Sequence, residues 1–249
     1  MQTKSLNASE DFVTRQEYHP SLILKLQRWI LKTAARSIFL VGGRVKISGL
    51  ENIPRGRVYV AAANHVSIYD PPLILAFWPE SLEAIGATDM FNRRGFGQLL
   101  RMFGAVPVHR GEYDRELIEK ILAMLSSGYR LMIAPEGGRS HALAMRRAKP
   151  GIAYIIDEAR VPVIPVGIVG TTDDLLKKGL RLQRPTVEIR IGKPVLLPPL
   201  EGRGEERREA RQRNADLIMQ HIAELLPPEY HGVYADSADF PAEERDSRH

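Results

Sequence analysis

The segment Asn64-His65-Val66-Ser67-Ile68-Tyr69-Asp70 puts an imidazole five residues ahead of a carboxylate. If the chain turns between them, the carboxylate accepts a hydrogen bond from one ring nitrogen. That fixes the tautomer and leaves the other nitrogen as a base near neutral pH. Asp70-Pro71-Pro72 also reads as a plain helix start, with Asp70 as N-cap and Pro71 at the first helical position. A second cluster is Ala134-Pro135-Glu136-Gly137-Gly138-Arg139-Ser140. Its glycines let backbone N–H groups approach a ligand and Arg139 offers a planar fork for a phosphate, or the segment is only a turn. A third is Gly104-Ala105-Val106-Pro107-Val108-His109-Arg110. On a strand, Val106, Val108 and Arg110 share one face, so Arg110 stands at its exit, and His109 on the other face reads as structural. The fourth, Val161-Pro162-Val163-Ile164-Pro165-Val166, carries two prolines that confine a strand to a sheet edge or an end.

Other chemistries are excluded by what is missing. The 249 residues include no cysteine, so no thiol nucleophile, disulfide scaffold, iron–sulfur cluster or cysteine zinc site is available. No phosphate loop, H-E-x-x-H pair or G-x-S-x-G elbow occurs, and Gly95-Phe96-Gly97 lacks the third glycine of a dinucleotide fingerprint. No metal site is expected. The net charge of +5 hides an asymmetry. Residues 227–249 hold six acids against Arg245 and Arg248, leaving 33 basic and 24 acidic side chains on residues 1–226. An anionic partner is implied: a membrane surface, a phosphorylated substrate or nucleic acid. No run of 18 apolar residues is free of charge or proline, and the first 20 residues have no apolar core of a secretory signal.

The elements that must position these residues alternate. Strands are predicted at 44–48, 58–63, 82–87, 105–109, 130–134, 162–169 and 187–191, and helices at 71–77, 96–103, 115–127, 152–159 and 205–226. That alternation predicts an α/β fold: a single domain over 44–226, with a mostly parallel or mixed sheet flanked by helices. Residues 1–43 read as a polar leader followed by an amphipathic helix from Ser21 to Val41, and 227–249 as an acidic disordered tail. On that helix Lys25, Arg28, Lys32 and Arg36 fall within an arc of about 80°. With Trp29 beside them they read as contacts to an anionic membrane, the alternative being a core-packed helix with one solvated face.

Taken in order, the four clusters resemble the motifs of the glycerophospholipid acyltransferase family, the 1-acylglycerol-3-phosphate or lysophospholipid acyltransferases. N-H-x-x-x-x-D is matched by Asn64, His65 and Asp70, and G-x-[IFV]-x-[IV]-x-R by Gly104 to Arg110. F-P-E-G-[TS]-R-S is similar to Ala134–Ser140, and V-P-[IV]-[IV]-P-V to Val161–Val166. Ala134 replaces the usual Phe, and Gly138 the usual Thr or Ser. The resemblance implies transfer of a fatty acyl group from acyl-CoA or acyl-carrier protein to the free hydroxyl of lysophosphatidate, giving phosphatidate. It implies no cofactor and no nucleic acid partner, and a peripheral protein on the cytoplasmic face of a membrane. His65 is then the base and Asp70 its orienting acid. Arg110 and Arg139 bind the acceptor's phosphate, with Asn64 and Gly137 also at the substrate and Glu136 holding the acceptor or an Arg and moving no proton. Oxyanion donors come from Gly137-Gly138 or from Val163–Pro165. An acyl thioester is already activated, so a chain without cysteine needs no nucleophile of its own.

Overall fold

The computed structural model describes residues 17–109, 114–140 and 142–235. Helix α1 (Leu22–Gly42) leads into β1 (Arg44–Ser48), and β2 (Val60–Ala63) into α2 (Asp70–Phe77). Then come β3 (Leu82–Ala87), α3 (Thr88–Phe91), α4 (Phe96–Phe103) and β4 (Val106–Val108). The chain continues through α5 (Arg115–Ser126), β5 (Arg130–Ile133), α6 (Gly151–Ala159) and β6 (Val163–Val169). It closes with α7 (Leu175–Leu180), β7 (Thr186–Ile191) and α8 (Gly204–Ala223). The seven strands form one sheet in the order β1-β7-β6-β2-β5-β3-β4, parallel throughout except for the β6–β7 pair.

Alternation along the strands divides the core in two. Tyr59, Ala61 and Ala63 face α1 and α2, whereas Val60 and Ala62 face α5, α6 and α8. A strand covered on both faces must be apolar on both, which is why β2 is buried at every position. The small alanines let helices approach closely. Because β5, β2 and β6 are parallel neighbours, their carboxyl ends open on one rim of the sheet. Open α/β sheets place ligands on that rim.

Four expectations change. The two-proline segment was expected at a sheet edge or an end; Pro162 does lie just before β6 begins, but β6 itself runs between β2 and β7 with Pro165 inside it. Pro165 faces Gly192, one residue past the end of β7: its carbonyl still accepts the Gly192 N–H at 2.9 Å, the regular ladder breaks at that point, and pairing resumes at Val163–Val195, so only the one donor that proline lacks is lost. Asp70 is the first residue of α2 and not its cap, and its carboxylate turns back to residues 65–67. The tail orders further than expected: Pro228–Tyr230 and Gly232–Tyr234 form short 3-10 helices, and Tyr230 and Tyr234 are buried against the α8 side of the core. Residues 236–249 lie outside the described residues.

The fourth change concerns α1. Its basic stripe was expected to face lipid, but Arg28 is buried and donates through both terminal nitrogens to Glu83 at 2.7 and 2.6 Å. Its Nε reaches the carbonyl of Phe103 at 2.8 Å. Lys32 donates to the carbonyl of Trp78 and Arg36 lies over the ring of Phe77, 5.3 Å from its centroid. Three of the four stripe residues therefore meet the domain. The outward face is apolar instead: Leu22 is 82% exposed and Trp29 64%, with Ile23, Leu26 and Ile30 beside them. Lys25 is exposed at the margin of that face. Among the described residues no helix is long and apolar enough to cross a membrane.

Candidate active site

β2 ends in the sheet centre and delivers Asn64 and His65 onto the rim. Buried Asn64 bridges to β6: its amide donates to the carbonyl of Ile168 at 3.0 Å and its oxygen accepts that residue's N–H at 2.7 Å. It thus extends the ladder one step beyond β2 and fixes where the chain departs. His65 follows, its Nδ1 at 2.9 Å from Asp70 Oδ2, with its side chain mostly shielded from solvent.

The same carboxylate oxygen accepts the N–H groups of Val66 and Ser67, both at 2.7 Å. The other oxygen accepts the hydroxyl of Thr171 at 2.6 Å. Four donors saturate Asp70, so its orientation is over-determined, and the imidazole is aimed by a group that cannot swing. With Nδ1–H directed at Asp70, Nε2 is left as the proton acceptor. That arrangement suits a general base.

Glu136, expected to hold the acceptor or an Arg, is buried and faces Arg146, whose Nε is 3.9 Å away, but its hydrogen bonds go to backbone N–H groups. Oε1 accepts the N–H of His65 and Oε2 that of Arg146, each at 2.9 Å. Burial pushes its carboxyl pKa up, against the pull of those two N–H groups and of Arg146. Glu136 therefore positions His65 from behind. Asn64 has likewise gone to the scaffold. Gly137, which follows Glu136 in a turn and is exposed where Glu136 and Gly138 on either side are buried, has a left-handed φ of 69°, which a side chain would strain. The turn also touches the dyad, because the N–H of Ser140 donates to the carbonyl of His65 at 2.8 Å. Arg110 lies outside the described residues.

Arg139 meets a carboxylate on the same rim. Its guanidinium is 3.1 Å from Asp173, and the hydroxyl of Ser67 and the N–H of Ile68 reach the same side chain at 3.2 Å. Partial burial raises the carboxyl pKa of Asp173, but the Ile68 N–H, Arg139 and Ser67 outweigh it and hold the pKa below the ordinary value. Thr171 and Asp173 were missed in the sequence. They belong to Gly170-Thr171-Thr172-Asp173-Asp174, which leaves β6 on the His65 rim. The available signal was a glycine at a strand's end followed by hydroxyls and acids. At Gly170, φ is 81° and a Cβ would lie 2.3 Å from the carbonyl oxygen of Thr186, so a side chain there would push Thr171 away from Asp70.

Val163–Pro165, one expected source of oxyanion donors, pairs with Val60–Ala62 inside the sheet. The Val163 N–H donates to the carbonyl of Val195. That segment is remote from the rim. Among the described residues no cluster of three or more metal-ligating side chains occurs.

A His–Asp pair at the carboxyl end of a central parallel strand, backed by a buried Glu and an Arg-bearing glycine turn, stands on the rim where α/β sheets bind ligands. Residues 44–169, half of the chain, match the family model described as Acyltransferase. The chain belongs to that acyltransferase family. It is 26% identical over 167 residues to the human 1-acyl-sn-glycerol-3-phosphate acyltransferase alpha, a match over 66% of this chain and 58% of the relative. With the 1-acyl-sn-glycerol-3-phosphate acyltransferase of Streptococcus pneumoniae the identity is 25%, over 68% of this chain and 62% of that protein. The chain therefore spans less than two thirds of these relatives. The crystal structure of the 1-acyl-sn-glycerophosphate (LPA) acyltransferase PlsC from Thermotoga maritima superposes with a TM-score of 0.54 at 25% identity, covering 78% of each chain.

Proposed function

We propose that the protein transfers a fatty acyl group from an acyl thioester, acyl-CoA or acyl-carrier protein, to the free hydroxyl of lysophosphatidate at a membrane surface. The observation that carries this reading is the dyad: His65 held by an Asp70 that four donors immobilise, with Nε2 unspent. The names of the relatives supply the acceptor class.

His65 Nε2 takes the proton of the acceptor hydroxyl as its oxygen bonds to the thioester carbonyl carbon. The resulting oxyanion collapses, the carbon–sulfur bond breaks, and the departing sulfur takes the proton back from the imidazolium, so the free thiol leaves and His65 returns to its neutral form. No covalent acyl-enzyme forms. With Val163–Pro165 committed to the sheet, the Gly137–Gly138 turn beside His65 is the remaining candidate for stabilising the oxyanion. Arg139 would exchange Asp173 for the acceptor's phosphate, a charge-assisted bond of the kind guanidinium favours.

The outward apolar face of α1 supports membrane contact, with Leu22, Leu26 and Trp29 entering the headgroup boundary. An acceptor and donor panel run on wild type and His65→Ala tests the reaction. Thiol release requiring lysophosphatidate, lost in His65→Ala, is expected. Near-wild-type release in the variant overturns the dyad, and preference for glycerol 3-phosphate or another lyso-lipid moves the acceptor.

A further inference from the structure

Residues 170–185 connect β6 to β7, and because those strands are antiparallel the whole connection lies on the rim that carries His65. Its middle is unusual in one respect. Leu180 is 78% exposed and Leu182 80%, more than any other large apolar side chain described outside α1. Leu182 and Arg184 also adopt left-handed backbone, with φ of 59° and 45°. An L-residue reaches that region at a cost, and a leucine gains nothing by it in water.

The surroundings say what the leucines meet. Lys177 and Arg181 are exposed between and beside them, and Lys178 is paired with Asp174 at 3.0 Å. Arg184 donates to the carbonyls of Leu40 and Gly43 at 3.1 and 3.3 Å, so the strained turn is tied to the end of α1. α7 also packs on α1 so closely that a Cβ at Gly179 would be 3.0 Å from the Gly42 backbone. Leu40 and Val41 are exposed there, so the apolar surface of α1 continues into Leu180 and Leu182. Apolar tips interleaved with cations are the composition of a surface that inserts into an anionic lipid headgroup layer.

We propose that residues 175–184 are a second lipid-inserting element, with Leu180 and Leu182 seated among acyl chains and Lys177 and Arg181 on lipid phosphates. The inference rests on the membrane reading above and extends it from one helix to the rim of the active site. Contact at both places presents the sheet rim to the bilayer, so an acceptor reaches His65 without leaving the lipid surface.

The test compares the full chain with Leu180→Asp/Leu182→Asp in sedimentation with equimolar phosphatidylglycerol–phosphatidylcholine vesicles. The double variant should bind about tenfold or more weakly, given the apolar area removed from lipid. Fluorescence of the exposed Trp29 reports α1 separately. Wild type that neither sediments nor shifts its Trp29 emission defeats the membrane reading itself. Wild type that does both, with the double variant unchanged, defeats only the inference. Leu182→Gly supplies a second variant that folds at least as well: relief of the left-handed strain raises its thermal midpoint while its vesicle binding falls. Unchanged vesicle binding in that variant, or a wild-type dimer dispersed by Leu180→Asp/Leu182→Asp, assigns the leucines to another role and overturns the proposal.

Discussion

Glu83 and Asp70 are both buried carboxylates that receive a basic side chain, and the two pairs differ in what is left over. Glu83 takes both terminal nitrogens of Arg28, while Tyr18 adds its hydroxyl at 2.7 Å and Phe103 takes the remaining Nε–H. Burial and the neighbouring Glu83 push the Tyr18 hydroxyl pKa up to about 12, so Tyr18 stays a donor. Each of the three guanidinium nitrogens has a partner inside the protein. Asp70 is as fully engaged, but its basic partner is a ring with a second nitrogen, and among the described residues nothing takes His65 Nε2. The first pair clamps α1 to β3 and α4. The second has a free valence on a rim that ligands can reach. Burial and charge pairing alone do not separate a clamp from a catalytic device; the unspent atom does.

The sharpest way to break that comparison is to remove each basic or acidic partner in turn. His65→Ala should lower turnover on the order of 10²–10⁴-fold with little loss of stability, read by initial rates and thermal melting. Glu83→Ala should do the reverse. It strands a buried guanidinium, which costs about 3–5 kcal/mol of folding stability, while turnover of the folded fraction at low temperature persists. If Glu83→Ala abolished turnover without lowering the melting temperature, the two pairs would not be different in kind. Deleting α1 is a poor probe of membrane contact for the same reason, since it would leave Glu83 buried without Arg28.

Much of this was legible in the sequence where local pattern decides. The boundaries of α4 and the ends of β1 and β3 fall where periodicity places them, and the His65–Asp70 pairing follows from five-residue spacing across a turn. The face of α1 did not. A helical wheel shows which residues share a side, and it carries no information on which side the domain lies. Arg28 looks like a surface cation until Glu83, 55 residues away, is known to be buried beneath it. The position of β6 failed similarly, because Pro165 removes a single donor, and whether the sheet tolerates that depends on how the chain beyond β7 continues the pairing through Gly192 and Val195. Thr171 joins Asp70 across 101 residues, a contact set by sheet order alone.

A smaller effect sharpens the positioning half of the comparison. Glu136→Gln keeps the shape but replaces one acceptor oxygen by a donor amide, which then faces the N–H of His65 or of Arg146. A buried unsatisfied donor costs about 1–3 kcal/mol, and displacement of His65 should lower kcat more than it raises the acceptor KM. The pH dependence has a definite sign. Because the folded carboxyl pKa is raised, chiefly by burial, Glu136 contributes stability below its ordinary range that is lost as pH rises through the folded value. The glutamine variant should lack that slope in denaturant titrations run at pH values above the ordinary carboxylate range. A slope identical to wild type would assign the titration elsewhere.

The smallest expected effect concerns the anion already on Arg139. Asp173 is mostly exposed, so its pair with Arg139 is worth at most about 1 kcal/mol, and its removal should lower the acceptor KM no more than a few-fold. The direction matters more than the size. Asp173→Ala removes a competitor for the guanidinium, the Ser67 hydroxyl and the Ile68 N–H, so a phosphate-bearing acceptor should bind more tightly while the thioester KM stays put. Arg139→Ala should raise the acceptor KM instead. If both substitutions raised it, Asp173 would be shaping the site and not occupying it, and the rim would resemble the Glu83 clamp, with its donors committed inside the protein.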